Sequence, residues 1–215
     1  MKLRTIFSLF IFSISFTLFA VQQNQKGVQI LDKARETYEK AGSVSAEFSV
    51  TIFQKSKPVS TQSGSIKMKG SKFRVMTDEA EVWFDGKNQW VLPIGTEEVS
   101  LSAPSETELD AVNPSSLFQI YNKGFRCNFA GLKVVNGKSV NIIDLIPIKP
   151  KQGIDKITLN IDEKSSILSL IFIQNKNGNH QKINITNYKS GLNYNDNLFV
   201  FNKKQYPNVE FVDVR

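Results

Sequence analysis

One cysteine, Cys127, and one histidine, His180, are all that these 215 residues hold of either type. A lone cysteine forms no internal disulfide, so the fold has to be held by burial and hydrogen bonding. One His and one Cys do not make a zinc site of usual composition, and no carboxylate spacing matches a calcium loop, so neither metal nor cofactor is expected. Cys127 stands in the run Phe125 to Phe129 at the start of a strand pattern, with no His or Asn placed as its partner; it reads as a buried structural thiol. His180 follows Asn177-Gly178, in an expected turn, and reads as a solvated side chain. A Gly-rich phosphate loop and a Gly-x-Ser-x-Gly elbow are both missing. The acidic groups Glu97-Glu98, Asp78-Glu79 with Glu81, and Asp162-Glu163 lie beside turn or strand-edge residues and read as solvated turns. No residue is singled out as catalytic, and the chain is not expected to be an enzyme.

Long apolar runs are also scarce. The longest, Ile6 to Ala20, is broken only by Ser and Thr and preceded by Lys2 and Arg4, the charged and apolar regions of a secretory leader. It is short for a membrane-spanning helix, which needs about 20 apolar residues. Residues 1–20 are therefore expected to be a signal peptide and 21–215 a single secreted domain. Loss of Lys2 and Arg4 with the leader lowers the net charge from +7 to +5. A modest basic excess without clustered Arg or aromatic-basic repeats gives nucleic acid little support; anionic lipid or acidic partners fit better.

What the sequence does have is alternation. From Gln29 to Ala41, Leu31, Ala34, Tyr38 and Ala41 recur three or four apart and Gly42 follows, which predicts one amphipathic helix. Val44, Ala46, Phe48, Val50 and Ile52 then alternate with mostly polar residues, as do Ile66 and Met68, then Phe73 and Val75. That is a series of strands with one apolar face. Asp85-Gly86, between a strand carrying Trp83 and one carrying Trp90, predicts a two-residue type I′ hairpin; Asn136-Gly137 and Asn177-Gly178 predict two more. Ser105 to Gly124 reads as two short helices broken near Asn113-Pro114, carrying Leu117, Phe118 and Tyr121. Five further strands follow up to Tyr188, and Leu198 to Phe201 and Val209 to Val214 look like short closing strands. The fold class is α+β, mainly β: an antiparallel sheet long enough to be forced to curl, with two or three helices on its apolar face. Periodicity alone leaves open whether that layer encloses a filled core or a cavity.

The order of segments resembles one known family. VSAEFSVTIFQK, GSIKMKGSKFRV, VWFDGKNQWVLP, NPSSLFQIYNKGF, ITLNIDEKSSILSLIFI and INITNYKSGLNYNDNLFVF follow one another as in the LolA lipoprotein carriers, and together they span essentially the whole mature chain. The resemblance implies an unclosed half β-barrel capped by helices, whose apolar cavity takes the acyl chains of lipoproteins. It further implies a monomeric carrier with acylated lipoproteins as cargo, an inner-membrane lipoprotein-releasing transporter as donor, an outer-membrane acceptor, and no nucleic acid. A secreted lipid-binding sensor or protein-interaction module of the same fold is the alternative. On this basis Phe48, Val50, Ile66, Met68, Phe73, Val75, Trp83, Trp90, Leu92, Leu117, Phe118 and Tyr121 are the expected cavity residues. The better-known carriers place an Arg directly after the strand matching SIKMK to hold the lid; here Gly70 occupies that position, with Arg74 the nearest basic substitute.

Overall fold

The computed structural model describes residues 24–105, 124–149 and 153–215. Twelve strands form one sheet in the order β12-β6-β5-β4-β3-β2-β1-β11-β10-β9-β8-β7, and its two end strands do not meet, so the curved sheet stays unclosed. In chain order they are β1 (Ser43–Gln54), β2 (Lys57–Lys69), β3 (Lys72–Thr77), β4 (Ala80–Phe84), β5 (Gln89–Pro93), β6 (Glu98–Ser102), β7 (Phe125–Val135), β8 (Lys138–Pro147), β9 (Ile154–Asp162), β10 (Leu168–Asn175), β11 (His180–Leu192) and β12 (Glu210–Asp213). Every pairing is antiparallel except β12, which lies parallel to β6. The expected closing strand from Leu198 to Phe201 is instead the end of a 3-10 turn, Asp196–Phe199.

Helix α1 occupies 24–40, five residues earlier at its start than the apolar spacing predicts. It ends on Gly42, whose φ of +69° supplies the left-handed position that stops the helix. Leu31 and Ala34 face inward, while Arg35 pairs with Glu39, and Lys40 with Glu36, along the solvent side. At about 1.5 Å per residue, 17 residues reach about 25 Å, enough to cross five strand spacings of about 4.8 Å. Its contacts reach from β7 to β2, six places apart around the curved sheet. Near its start Gly27 lies on β7, where an added Cβ would stand 2.6 Å from Cys127 Sγ; near its end the Tyr38 hydroxyl donates to Met68 Sδ of β2 at 2.9 Å. The two helices expected between Ser105 and Gly124 fall on 106–123, outside the described residues.

The hairpins bear out one turn expectation and correct another. Asn136-Gly137 is a two-residue turn with both φ positive, as its sequence predicts. Asp85-Gly86 is not: only Gly86 has positive φ, and Phe84 pairs with Gln89 across a four-residue loop. The Asp85 carboxylate accepts from the amides of Lys87 at 2.8 Å and Asn88 at 2.7 Å, a side-chain turn that outcompetes the backbone type I′ conformation. The β1–β2 hairpin turns through Lys55 and Ser56, both at positive φ with neither Gly nor Asn, and so carries no sequence signal.

Cys127 is 2% exposed under α1. Burial, with the Asp32 charge nearby, pushes its thiol up to about 12 from an ordinary value of 9.0. The native thiol should therefore resist iodoacetamide at pH 8 and react once the protein is unfolded in guanidinium; rapid native labelling would contradict this placement. Above pH 9 the unfolded thiol releases its proton while the folded one keeps it up to about 12, so Cys127 makes stability fall as pH rises through that window. Denaturant titrations of Cys127→Ala should lose that part of the slope.

Candidate ligand-binding site

Directly paired residues in a sheet point to the same side, so the register decides which residues can share a surface. On the side covered by α1, a row runs through Phe129, Ile143, Leu159, Ile171, Ile183 and Val50, one residue from each of β7, β8, β9, β10, β11 and β1. A second runs through Ala46, Ile66, Val75, Val82 and Val91 across β1 to β5. Burial changes along these rows. Ile143 and Leu159 are fully buried beneath α1, whereas Ile183, Val50, Ile66, Val75, Val82 and Val91 are only partly covered. The end of α1 covers a separate set, in which Val44, Met68, Phe73 and Phe84 pack with Tyr38 and Ala41.

The apolar face is thus closed under the helix and open over β11, β1, β2, β3 and β4. Phe48 lies within the open part, and Gly64 gives its ring room: a Cβ there would stand 2.6 Å from Phe48 Cζ and equally close to the Met76 carbonyl. The phenols nearest the helix end, Tyr38 and Tyr188, are both pushed above their ordinary range by burial, with Tyr188 adding to the shift of Tyr38, and stay neutral. With β-branched and aromatic side chains and neutral phenols, this surface is fitted to hold apolar matter.

Six of the twelve expected cavity residues share this side: Phe48, Val50, Ile66, Met68, Phe73 and Val75. Met68 and Phe73 are already buried under α1, each 2% exposed. Trp83, Trp90 and Leu92 face the other way. Trp83 opposes Arg74 and Trp90, while its neighbour Phe84 opposes Phe73, so the strand reading EVWF offers large apolar groups to both sides of the sheet. The two tryptophans and Leu92 pack with Val99, Leu101, Phe201 and Val209 under the chain that follows β11. Leu117, Phe118 and Tyr121 lie outside the described residues. Missing from the expected set are Val82, Val91 and Ile183; the register relative to Val75 and Val50 identifies them, and alternation within a single strand does not.

Two polar groups also depart from expectation. Glu81 is 7% exposed, not a solvated turn residue: it accepts from Arg74 Nε at 2.6 Å and from the Tyr206 hydroxyl at 2.9 Å on the tryptophan side. Arg74 is thereby committed to the opposite side from any lid over the apolar rows. Gly70, at φ +58° in the β2–β3 turn, occupies a conformation that suits glycine better than arginine. His180 begins β11 with its ring 5.7 Å from that of Phe172, and its Nδ1 is buried without a hydrogen-bond partner, so it is less solvated than its turn position suggests.

The chain is thus an open curved sheet whose apolar rows are partly roofed by a helix. The family model described as outer membrane lipoprotein carrier protein LolA matches residues 16–179, and the chain belongs to that family. Among solved structures, an uncharacterized conserved protein from Thermus thermophilus is similar at 11% identity and a TM-score of 0.60, over 86% of this chain and 97% of that one. A LolA superfamily protein from Nitrosomonas europaea aligns at 11% identity and a TM-score of 0.46, over 81% and 97%. No curated protein sequence matches the chain.

Proposed function

We propose that this protein is a periplasmic carrier that takes acyl chains of lipoproteins onto the open apolar rows of its sheet and passes them from the inner to the outer membrane. The partly covered group of Phe48, Val50, Ile66, Val75 and Val82, in a chain of the LolA family, is the observation that carries this reading. Residues 1–20 serve as the export signal and 21–215 as the single carrier domain. An inner-membrane releasing transporter would donate the cargo and an outer-membrane acceptor would receive it. Burial contributes about 0.8 kcal/mol per methylene, so one long chain gains roughly 10 kcal/mol gross. Transfer without fuel then requires an acceptor that binds more tightly or a cover that favours closure.

Native mass spectrometry of protein purified from a diderm periplasm without detergent tests this directly. A co-purifying acylated peptide or lipid is expected. Apo protein that also leaves an environment-sensitive apolar dye dark would instead favour the protein-interaction module. Val75→Asp, at a half-buried site, should keep the wild-type fold and lose about tenfold or more in dye affinity, because the carboxylate desolvates on contact with an acyl chain. Undiminished binding would remove Val75 from the site.

A further inference from the structure

A second cleft, of about 410 Å³, opens where β2, β1 and β11 run side by side, and its polar lining comes from Ser45, Glu47, Ser65, Lys67, Asn187 and Lys189. Of these, Glu47, Ser65 and Lys67 sit in register with Glu81, Met76 and Arg74, so the cleft belongs to the tryptophan side of the sheet and is separate from the apolar rows. The fold builds it with an irregularity. Ser45 pairs with Lys189 but Glu47 pairs with Thr186, so β11 carries an extra residue, and Asn187 takes φ +50° within that bulge.

The pairing sorts the charges into two rungs. Ser45 stands between Lys67 on one side and Lys189 on the other, a Lys-Ser-Lys rung across three strands. Two residues along β1, about 7 Å away, Glu47 forms the next rung with Ser65. Asn187 Nδ2 donates to Glu47 Oε2 at 2.5 Å and fixes the carboxylate there. The neighbouring cations are already committed: Lys69 and Lys72 to Asp196, and Arg74 to Glu81. Among the described residues Lys67 has the Tyr194 ring 5.9 Å away and no carboxylate, and Lys189 has no ion pair.

We propose that this cleft binds a zwitterionic phosphoamine, with the phosphate on the Lys67–Ser45–Lys189 rung and the ammonium on Glu47. The separation of the rungs suits a phosphate and an ammonium joined by a two-carbon link, and two lysines bracketing a serine against one glutamate complement a phosphate ester bearing one ammonium. The same chemistry is offered by free phosphoethanolamine and by the headgroup of phosphatidylethanolamine.

Amide chemical-shift titration of the mature protein with phosphoethanolamine, inorganic phosphate and ethanolamine tests the assignment. Saturable shifts at Ser45, Lys67 and Lys189, tightest for phosphoethanolamine, are expected. Lys67→Gln with Lys189→Gln should weaken phosphoethanolamine and phosphate alike by about tenfold or more, whereas Glu47→Gln should reduce phosphoethanolamine to the level of phosphate. These side chains are exposed or half-exposed, and unchanged thermal melts would establish that the variants fold. Co-sedimentation with phosphatidylethanolamine vesicles, but not phosphatidylcholine vesicles, would assign the headgroup as the source; saturable binding of the soluble compound alone would assign a free phosphoamine. Absence of saturable shifts, or shifts indifferent to the lysine pair, would overturn the site, and phosphate binding untouched by Glu47→Gln without any phosphoethanolamine preference would overturn its zwitterionic character.

Discussion

Arg74→Met is expected to cost about 3 to 5 kcal/mol of folding free energy, read as a lowered midpoint in urea, because it strips the partner from a carboxylate that is only 7% exposed. Arg74 meets Glu81 through its guanidinium and also lies over the Trp83 ring, 5.3 Å from its centroid. Removing it leaves Glu81 with the Tyr206 hydroxyl alone, which compensates a buried charge poorly. The loss should come mainly from that orphaned charge, not from the missing attraction. Arg74→Met combined with Glu81→Leu should therefore recover most of the stability, since an apolar pair of similar volume is often neutral or better in such a place. A single substitution costing under about 1 kcal/mol, or a double variant no more stable than the single, would show that Glu81 reaches water in solution.

Leu31→Ala should cost about 2 to 5 kcal/mol, for a different reason. Leu31 is fully buried between α1 and the sheet, in a cluster with Cys127, Ile143, Leu145 and Leu159. The strands beneath are held in a continuous ladder and cannot collapse into the space a shortened side chain leaves, so the cost should fall in the upper part of the range. The same substitution loosens the roof over the apolar rows. Dye binding by the folded fraction should then rise or stay level, while the melting temperature drops. Leu31 and Arg74 lie on opposite sides of the sheet without shared partners, so their effects should add to within about 0.5 kcal/mol. A cost near zero for Leu31→Ala would mean that α1 does not dock as described.

The strands were legible in the sequence wherever one face was polar. Val44 to Ile52 and Ile66 to Val75 alternate cleanly, and their apolar members lie on the helix side. The signal failed where both faces are apolar. In Val82-Trp83-Phe84 the size of tryptophan suggests an inward position, yet Val82 and Phe84 take the side under α1, because the chain after β11 offers a second apolar surface to Trp83. Residues 193–209 carry no regular period, so nothing local announced that they would cover the back of the sheet. Lys57 to Ser63 was likewise illegible as strand: it is polar, contains Pro58, and joins β2 only because β1 supplies the pairing, with a register irregularity where Phe53 meets Pro58. Glu81 looked like a member of an acidic turn because its partner Arg74 lies on another strand, and a single strand's text does not contain that contact.

The strand order divides the sheet into two simple up-and-down ribbons, β1 to β6 and β7 to β11, in each of which every strand pairs with its predecessor. They are zipped together along β1 and β11, where Ser43 meets Leu192 and Phe53 meets His180. About two thirds of the polypeptide must be drawn into a loop before that seam can close, and α1 has both ribbons to rest on only afterwards. Each ribbon therefore carries only part of the apolar surface, β1 to β5 one row and β7 to β11 most of the other. The parts become continuous only at the seam, where Val50 meets Ile183 and Phe48 meets Ile185, so a chain emerging end first carries no finished greasy trough until its final third has arrived.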